Sequence, residues 1–285
     1  MIPAAFDYQR AGTLDEALGL IGASGTKVIA GGMSLLPLMK LRLANPEKLV
    51  DIGRLKELRG VRKLDDGRLA VGAMTTYAEL AESPARVYGL MRDALPDIGD
   101  VQVRNRGTVG GAVAHCDPAS DLPAVLLALD AEIVARSKRG ERVLPVDGFF
   151  VGAFQTALAE DELITEVRLL APRDDAGSAF KSLSQRASGY SIVGVAAVVI
   201  KDSQDRIAQA SVALTGVGEA PYRARAVESA LIGTDGKAAA IAAAAAHATD
   251  GVTVNGDIHA DPQYRAAMAV VYTKRAIEAA VGRLG

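Results

Sequence analysis

The chain has 285 residues, with 32 Lys+Arg against 34 Asp+Glu, a formal charge of −2, 49% hydrophobic residues, no Trp and a single cysteine, Cys116. At roughly 150 residues per domain this predicts about two domains, each able to bury a core without metal or disulfide staples. Near-neutral charge with only 4% aromatics excludes the basic, ring-rich footprint of a nucleic-acid surface. One cysteine excludes an internal disulfide, and with three unrelated histidines it argues against any zinc or iron–sulfur site built by this chain. Redox chemistry here would need an organic cofactor or a partner's metal.

The uncharged, apolar-rich run near 187–200 is shorter than the ~20 residues of a membrane helix and contains Ser and Gly, so no membrane span is expected. The N-terminus lacks a basic region followed by an apolar block, which makes the cytoplasm the expected compartment.

In chain order, Thr13-Leu-Asp-Glu16 has the form of a capping box opening a short helix. Residues 27–30 read as a buried strand broken by Gly31-Gly32, and Ser34 precedes a helical run over 35–43 closed by Asn45-Pro46. A strand over 49–52 and a hairpin over 61–64 and 69–71 follow, then a second capping box, Thr76 to Glu79, and a helical stretch to about Ile98. Residues 101–123 are too rich in Gly and small polar residues to predict a regular element. Ser120 is expected to cap a helix over 121–129, ahead of a hairpin over 132–136 and 143–145 and a strand over 162–169. The Pro, Gly and charge cluster at 171–177 marks the expected boundary, dividing the chain into 1–175 and 176–285. Beyond it come three strand-like runs, 178–184, 191–200 and 207–214, then helical ones over 224–231, 238–249 and 262–281. Strands followed by helices predict an α+β domain, a three-stranded antiparallel sheet with helices on one face.

Two glycine clusters could carry chemistry. Ala30-Gly-Gly-Met-Ser34 follows a strand and precedes a helix, so the missing Cβ atoms let main-chain N–H groups approach an anion. Gly107-Thr-Val-Gly-Gly111 is a second such turn, followed by Ser120-Asp121. Together they could clamp a dinucleotide's two phosphates, although the Gly-x-Gly-x-x-Gly context of a Rossmann fold is missing. Taken singly, the first motif is more often just a turn.

Val28-Ile-Ala-Gly-Gly-Met-Ser-Leu-Leu-Pro37 and Arg104-Asn-Arg-Gly-Thr-Val-Gly-Gly-Ala-Val-Ala-His-Cys-Asp-Pro-Ala-Ser-Asp-Leu-Pro123 resemble the paired FAD-pyrophosphate motifs of the medium subunit of molybdenum hydroxylases, the family of carbon monoxide, xanthine and nicotine dehydrogenases. The resemblance extends over essentially the whole chain, through the strand Glu162-Leu-Ile-Thr-Glu-Val167 to Ser188-Gly-Tyr-Ser191. It implies a two-part α/β FAD-binding domain of the PCMH or vanillyl-alcohol-oxidase type, with a smaller C-terminal domain covering the flavin's far side.

The resemblance also implies a site. Ile29, Ala30, Gly31, Gly32, Met33, Ser34 and Leu35 would wrap the pyrophosphate, opposed by Thr108, Gly110, Gly111 and Ala112. His115, Ser120 and Asp121 would lie along the ribityl and ribose, Leu163 or Ile164 would pack on the flavin ring, and Lys181 and Tyr190 would stand beside it. Met33 and Ala112 are apolar where members commonly carry polar residues, so main-chain N–H groups would carry the phosphate contacts. No side chain is assigned as nucleophile, acid or metal ligand. The implied activity is electron transfer in a heteromeric oxidoreductase. Substrate is oxidised at the molybdopterin centre of a large subunit, electrons pass through [2Fe-2S] clusters of a small subunit, and the FAD of this chain reduces an external acceptor. The alternatives are a stand-alone PCMH-type flavoprotein and a non-catalytic assembly scaffold.

Overall fold

The structure, a computed structural model, describes residues 2–284. The first unit comprises β1 (Asp7–Arg10), α1 (Leu14–Leu20), β2 (Thr26–Ile29), α2 (Leu35–Lys40) and β3 (Lys48–Asp51). The strands form a parallel sheet in the order β1-β3-β2. Thr13 Oγ1 accepts the Glu16 N–H at 3.1 Å, but the Glu16 carboxylate reaches the Gly12 N–H at 2.7 Å rather than that of Thr13, so the expected box is only half closed. α1 buries Leu14, Ala17 and Leu18 against Val50 and Ile52, forming a small core that also takes Leu163. α2 stops at Lys40, short of the expected 43, because Arg42 adopts a left-handed φ of 59°.

The second unit runs through β4 (Val61–Lys63), β5 (Leu69–Gly72), α3 (Tyr77–Ala81), α4 (Gly89–Ala94), α5 (Val101–Arg106), α6 (Val109–His115), α7 (Asp121–Ala128), β6 (Glu132–Ser137), β7 (Gly140–Pro145), β8 (Phe150–Gly152), β9 (Gln155–Thr156) and β10 (Leu163–Leu169). An antiparallel sheet in the order β4-β5-β10-β6-β7 holds it together. Thr76 and Glu79 close the second box reciprocally. Residues 101–123, expected to be irregular, instead fold into α5, α6 and the start of α7. Asp100 accepts the Val103 N–H at 2.8 Å and Thr108 that of Gly111 at 3.2 Å, so side-chain caps start α5 and α6 where propensity alone would not. Ser120 occupies the N-cap position of α7, but its side chain makes no capping bond.

The C-terminal part comprises β11 (Ala176–Ser184), β12 (Ser191–Lys201), β13 (Ile207–Thr215), β14 (Tyr222–Arg223), α8 (Arg225–Leu231), α9 (Ala238–Ala245) and α10 (Pro262–Val281). Its antiparallel sheet has four strands rather than three, because the two-residue β14 pairs with β13 at Leu214 and Ala213. The pleat sorts this sheet's side chains between two cores. Phe180, Ala196 and Ala213 point into the core of the second unit, whereas Ala179, Val195 and Val212 pack with α8–α10. The sheet is therefore the wall between the two parts of the molecule. No helix among the described residues is long and apolar enough to cross a membrane.

Candidate functional site

β2 ends at Ile29, and the chain turns through Ala30, Gly31, Gly32 and Met33 to Ser34 at the start of α2. Gly32 has a φ of 77°, a left-handed conformation that strains any side chain. Gly31 is fixed by space instead. A Cβ there would lie 1.9 Å from the Arg106 carbonyl oxygen and 3.1 Å from the Gly107 Cα, so the two glycine clusters are in direct backbone contact. The main-chain N–H groups of Gly31, Gly32, Met33 and Ser34 have no hydrogen-bond acceptor among the described residues. Unpaired donors at partly buried positions are uncommon. Four in succession make a concavity suited to an anion.

The second cluster works differently. The Val109 N–H donates to Thr75 O at 3.0 Å, Gly110 to Ala73 O at 2.8 Å and Ala112 to Thr108 O at 3.0 Å, while Gly111 is taken by the Thr108 hydroxyl. The N–H groups of Gly110, Gly111 and Ala112 are therefore used internally, and these residues present a wall rather than a row of donors. The glycines here serve close approach. A Cβ on Gly110 would meet Ala73 Cβ at 2.5 Å and one on Gly107 the Tyr77 ring at 2.7 Å. At Gly111 a Cβ would meet only the Thr108 hydroxyl at 2.7 Å and, across the gap, Ala30 Cβ at 4.0 Å. One turn supplies donors and the other supplies a flat wall.

The C-terminal sheet closes the same region. The Thr215 hydroxyl is within hydrogen-bonding distance of the carbonyls of Pro118 and Ser120, at 2.8 and 2.9 Å, and the Gly216 N–H donates to Pro118 O at 2.7 Å, pinning the loop before α7. Ser191 Oγ donates to Asp121 Oδ1 at 2.6 Å. The Asp121 side chain is buried, and desolvation raises its pKa to about 7, with the Asp97 charge adding to the rise and the Ser191 bond opposing it. Its Oδ2 has no hydrogen bond among the described residues.

Tyr190, 45% exposed, stands beside the first turn. Partial burial and then the Asp117 charge push its phenol pKa up, while the Ser34 hydroxyl pulls it down. Tyr77, which sequence reasoning missed, is buried beneath the loop. Burial raises its pKa, the charges of Asp121, Tyr190 and Asp117 raise it further, and the Ser120 hydroxyl lowers it. In the sequence only its place inside the second capping box, Thr76 to Glu79, marks it. His115 lies on α6 with its ring 5.0 Å from that of Phe154 and its Nε2 4.0 Å from Asp117. Burial lowers its pKa, against the pull of the Asp117 charge, and so favours the neutral imidazole. Cys116 caps α6 at a left-handed φ of 50°, and its thiol donates to Gly152 O at 3.3 Å. Burial pushes that thiol up to about 11, which keeps it protonated and unreactive.

Comparison with known proteins settles the family. The profile of the FAD binding domain in molybdopterin dehydrogenase matches residues 4–172, and that of the CO dehydrogenase flavoprotein C-terminal domain matches 178–280. The chain belongs to the FAD-binding medium subunits of molybdenum hydroxylases. Among this family it is 39% identical to the carbon monoxide dehydrogenase medium chain of Hydrogenophaga pseudoflava, over 99% of each chain. It is 36% identical to caffeine dehydrogenase subunit beta of Pseudomonas sp., over 100% of this chain and 97% of the relative. The solved carbon monoxide dehydrogenase from Hydrogenophaga pseudoflava superposes with a TM-score of 0.96 over 100% of both chains at 39% identity. Quinoline 2-oxidoreductase from Pseudomonas putida 86 superposes at 0.92 with 30% identity, again over 100% of both.

In this medium subunit the fold places the residues expected at the site as follows, and it sets one of them apart. Ile29, Ala30, Met33 and Leu35 are partly buried around the donor-rich turn, and Ala112, His115 and Ser120 are partly buried on α6 and the loop that follows it. Leu163 and Ile164 are buried, the first in the small N-terminal core that Ala30 also joins and the second in the main core. Lys181 pairs with Val195, whose side chain packs with α8–α10, and it alternates with Phe180, which points into the second unit. The pleat thus places Lys181 on the face turned away from the glycine turns, and it drops out of the candidate site.

Proposed function

We propose that this medium subunit holds FAD extended between the two glycine turns. In this reading residues 1–175 form the FAD-binding domain and 176–285 the cover, and the subunit accepts electrons from a partner's [2Fe-2S] clusters to reduce an external acceptor. The observation that carries the reading is the row of four unpaired N–H groups at Gly31–Ser34, pressed against Arg106 and Gly107. Bound FAD supplies a centre that exchanges one or two electrons, so the chain's own part is binding, orientation and exclusion. The four N–H groups would bind the pyrophosphate, Gly111 would leave room for it, and Asp121 Oδ2 would hold a cofactor hydroxyl. Tyr190 would cover the outer side of the ring from the C-terminal sheet. Burial favours the neutral form of both His115 and Cys116, so neither is set up as a charge or a nucleophile beside the cofactor.

Substrate oxidation belongs, in this reading, to a molybdenum-binding large subunit, and the complex works in the cytoplasm. Isolation of the chain from its source tests the assignment. It should copurify with an iron–sulfur and a molybdenum subunit, and flavin absorbance in that complex should bleach as the clusters are reduced. A chain that isolates alone as an active flavoenzyme would contradict the electron-transfer role. A complex devoid of flavin would instead favour the scaffold.

A further inference from the structure

Arg265, in the first turn of α10, is a buried cation whose side chain is only 4% exposed. Its Nη1 donates to Ile192 O at 2.6 Å and to Gly216 O at 2.5 Å, and its Nη2 meets Asp257 Oδ2 at 2.8 Å. Asp257 is held in turn, because its Oδ1 accepts the His259 and Ala260 N–H groups at 2.8 and 3.0 Å. The Asn255 N–H donates to Val217 O at 2.8 Å and ties the same loop to the turn after β13. One guanidinium thus joins the start of β12, the end of β13 and the start of α10, while its Nε has no hydrogen-bond partner among the described residues.

A buried ion pair contributes little to stability that well-packed apolar residues could not. What a guanidinium adds is a planar fork that reaches carbonyls on two strands in one fixed geometry. Those strands hold the segment before and into α7. Gly216, at a φ of 80°, is pressed onto β12, where a Cβ would lie 2.6 Å from Ile192 O and 2.7 Å from Ser191 O. Its carbonyl faces Arg265, and its N–H donates to Pro118 O at 2.7 Å. The adjacent Thr215 hydroxyl reaches the Pro118 and Ser120 carbonyls at 2.8 and 2.9 Å. Ser191, which precedes Ile192, bonds Asp121 through its hydroxyl at 2.6 Å. All three routes from Arg265 end within 118–121, the segment that carries Ser120 and Asp121.

Given FAD between the two glycine turns, the reading on which this depends, we propose that Arg265 is a positioning residue for the cofactor site, fixing residues 118–121 through the Ile192 and Gly216 carbonyls. Without the guanidinium, those carbonyls turn toward water, and the Gly216 N–H and Thr215 hydroxyl lose their aim at the loop. The C-terminal domain then still folds over the site but no longer holds it in register.

The test uses the deflavinated complex, with FAD titrated in and followed by fluorescence under conditions where far-UV circular dichroism shows every variant folded. Arg265→Met should lower FAD affinity about tenfold, the size of one lost hydrogen bond to the cofactor. It should also change the visible circular dichroism of the flavin at saturation, which a merely structural role would not move. Arg265→Lys, a point charge without the fork, should restore part of the affinity. Thr215→Val cuts the next link, and if both residues act on one loop, the double variant should lose less than the two single losses combined. Leu231→Ala is the control for general destabilisation. It truncates a fully buried side chain of α8 near Gly233, whose N–H bonds Ile207 at the end of β13 away from Thr215, roughly 26 Å along the strand. Leu231→Ala should lower stability in urea and leave both flavin readouts as in wild type. Thr215→Val and Arg265→Lys keep the comparison available should Arg265→Met fail to fold. A wild-type complex that takes up no FAD would overturn the FAD reading and this proposal with it. Wild type and Arg265→Met that bind FAD equally, with the same flavin spectrum, would overturn this proposal alone, as would an equal loss of affinity in Leu231→Ala.

Discussion

Gly31→Ala is the most informative perturbation of the cofactor site. The new Cβ would stand 1.9 Å from the Arg106 carbonyl oxygen, 2.7 Å from its carbon and 3.1 Å from the Gly107 Cα. All three neighbours are backbone, so no rotamer change relieves the clash. Ordinary contact begins at 3.4 Å, so the turns must separate by 3.4 − 1.9 = 1.5 Å. Overpacking of this kind costs roughly 1–3 kcal/mol of stability. A 1.5 Å displacement also takes at least one Gly31–Ser34 amide out of hydrogen-bond range of a phosphate oxygen. A bond to a charged group contributes about 1.5–3 kcal/mol, which at 1.4 kcal/mol per decade lowers FAD affinity about ten- to hundredfold. FAD titration into the deflavinated complex, followed by fluorescence, measures this, with urea unfolding run in parallel. Gly111→Ala is the internal comparison. It displaces only the Thr108 hydroxyl, weakening the α6 cap by about 1 kcal/mol, and should affect FAD less. If Gly31→Ala binds FAD and resists urea like wild type, the contact between the two turns has been misread.

Three further substitutions probe other parts of the account. Gly111→Val puts a branched side chain into the gap toward Ala30 and should lower flavin content severalfold in a chain whose circular dichroism is unchanged; full flavin content would remove α6 from the site. Asp121→Asn tests the buried carboxyl: its folded pKa of about 7 lies above the unfolded value, so the native state keeps a proton that the unfolded chain releases between about pH 4 and pH 7. Wild-type stability should fall across that window and stay low above it, by roughly 4 kcal/mol at most, while Asp121→Asn should lose the slope and exceed wild type above pH 7; a flat wild-type profile in urea would contradict this. Arg265→Met removes a buried guanidinium whose Nη1 donates to Ile192 O at 2.6 Å and Gly216 O at 2.5 Å, with Nη2 on Asp257 at 2.8 Å. Leaving those carbonyls unpaired should cost about 2–4 kcal/mol in urea unfolding, and a change under 0.5 kcal/mol would show that the strut is dispensable.

The strand, Gly-Gly turn and following helix were legible because an apolar run, two residues without Cβ and a change of period coincide within 27–40. The second cluster was legible as a site but not as a helix. Glycine in a helix interior is unfavourable by about 1 kcal/mol, and α6 is helical through the Thr108 cap on the Gly111 N–H and the fit of Gly110 against Ala73. For the same reason the sequence reading gave both clusters one role, whereas internal bonding of the α6 amides leaves the donors to Gly31–Ser34. β1 was missed because an edge strand with exposed side chains shows no apolar alternation. Lys181 was correctly placed on a strand, but which face it occupies depends on the β11–β12 register and on which side the helices pack, and neither is written in local pattern.

The central claim is that the two glycine turns hold FAD, and flavin stoichiometry tests it most directly. Flavin released by acid from the complex purified from its source should amount to one FAD per copy of this chain, and to clearly less in Gly31→Ala prepared in parallel and washed free of excess FAD. A wild-type complex that is active without flavin, or equal flavin in the two preparations, would contradict the account.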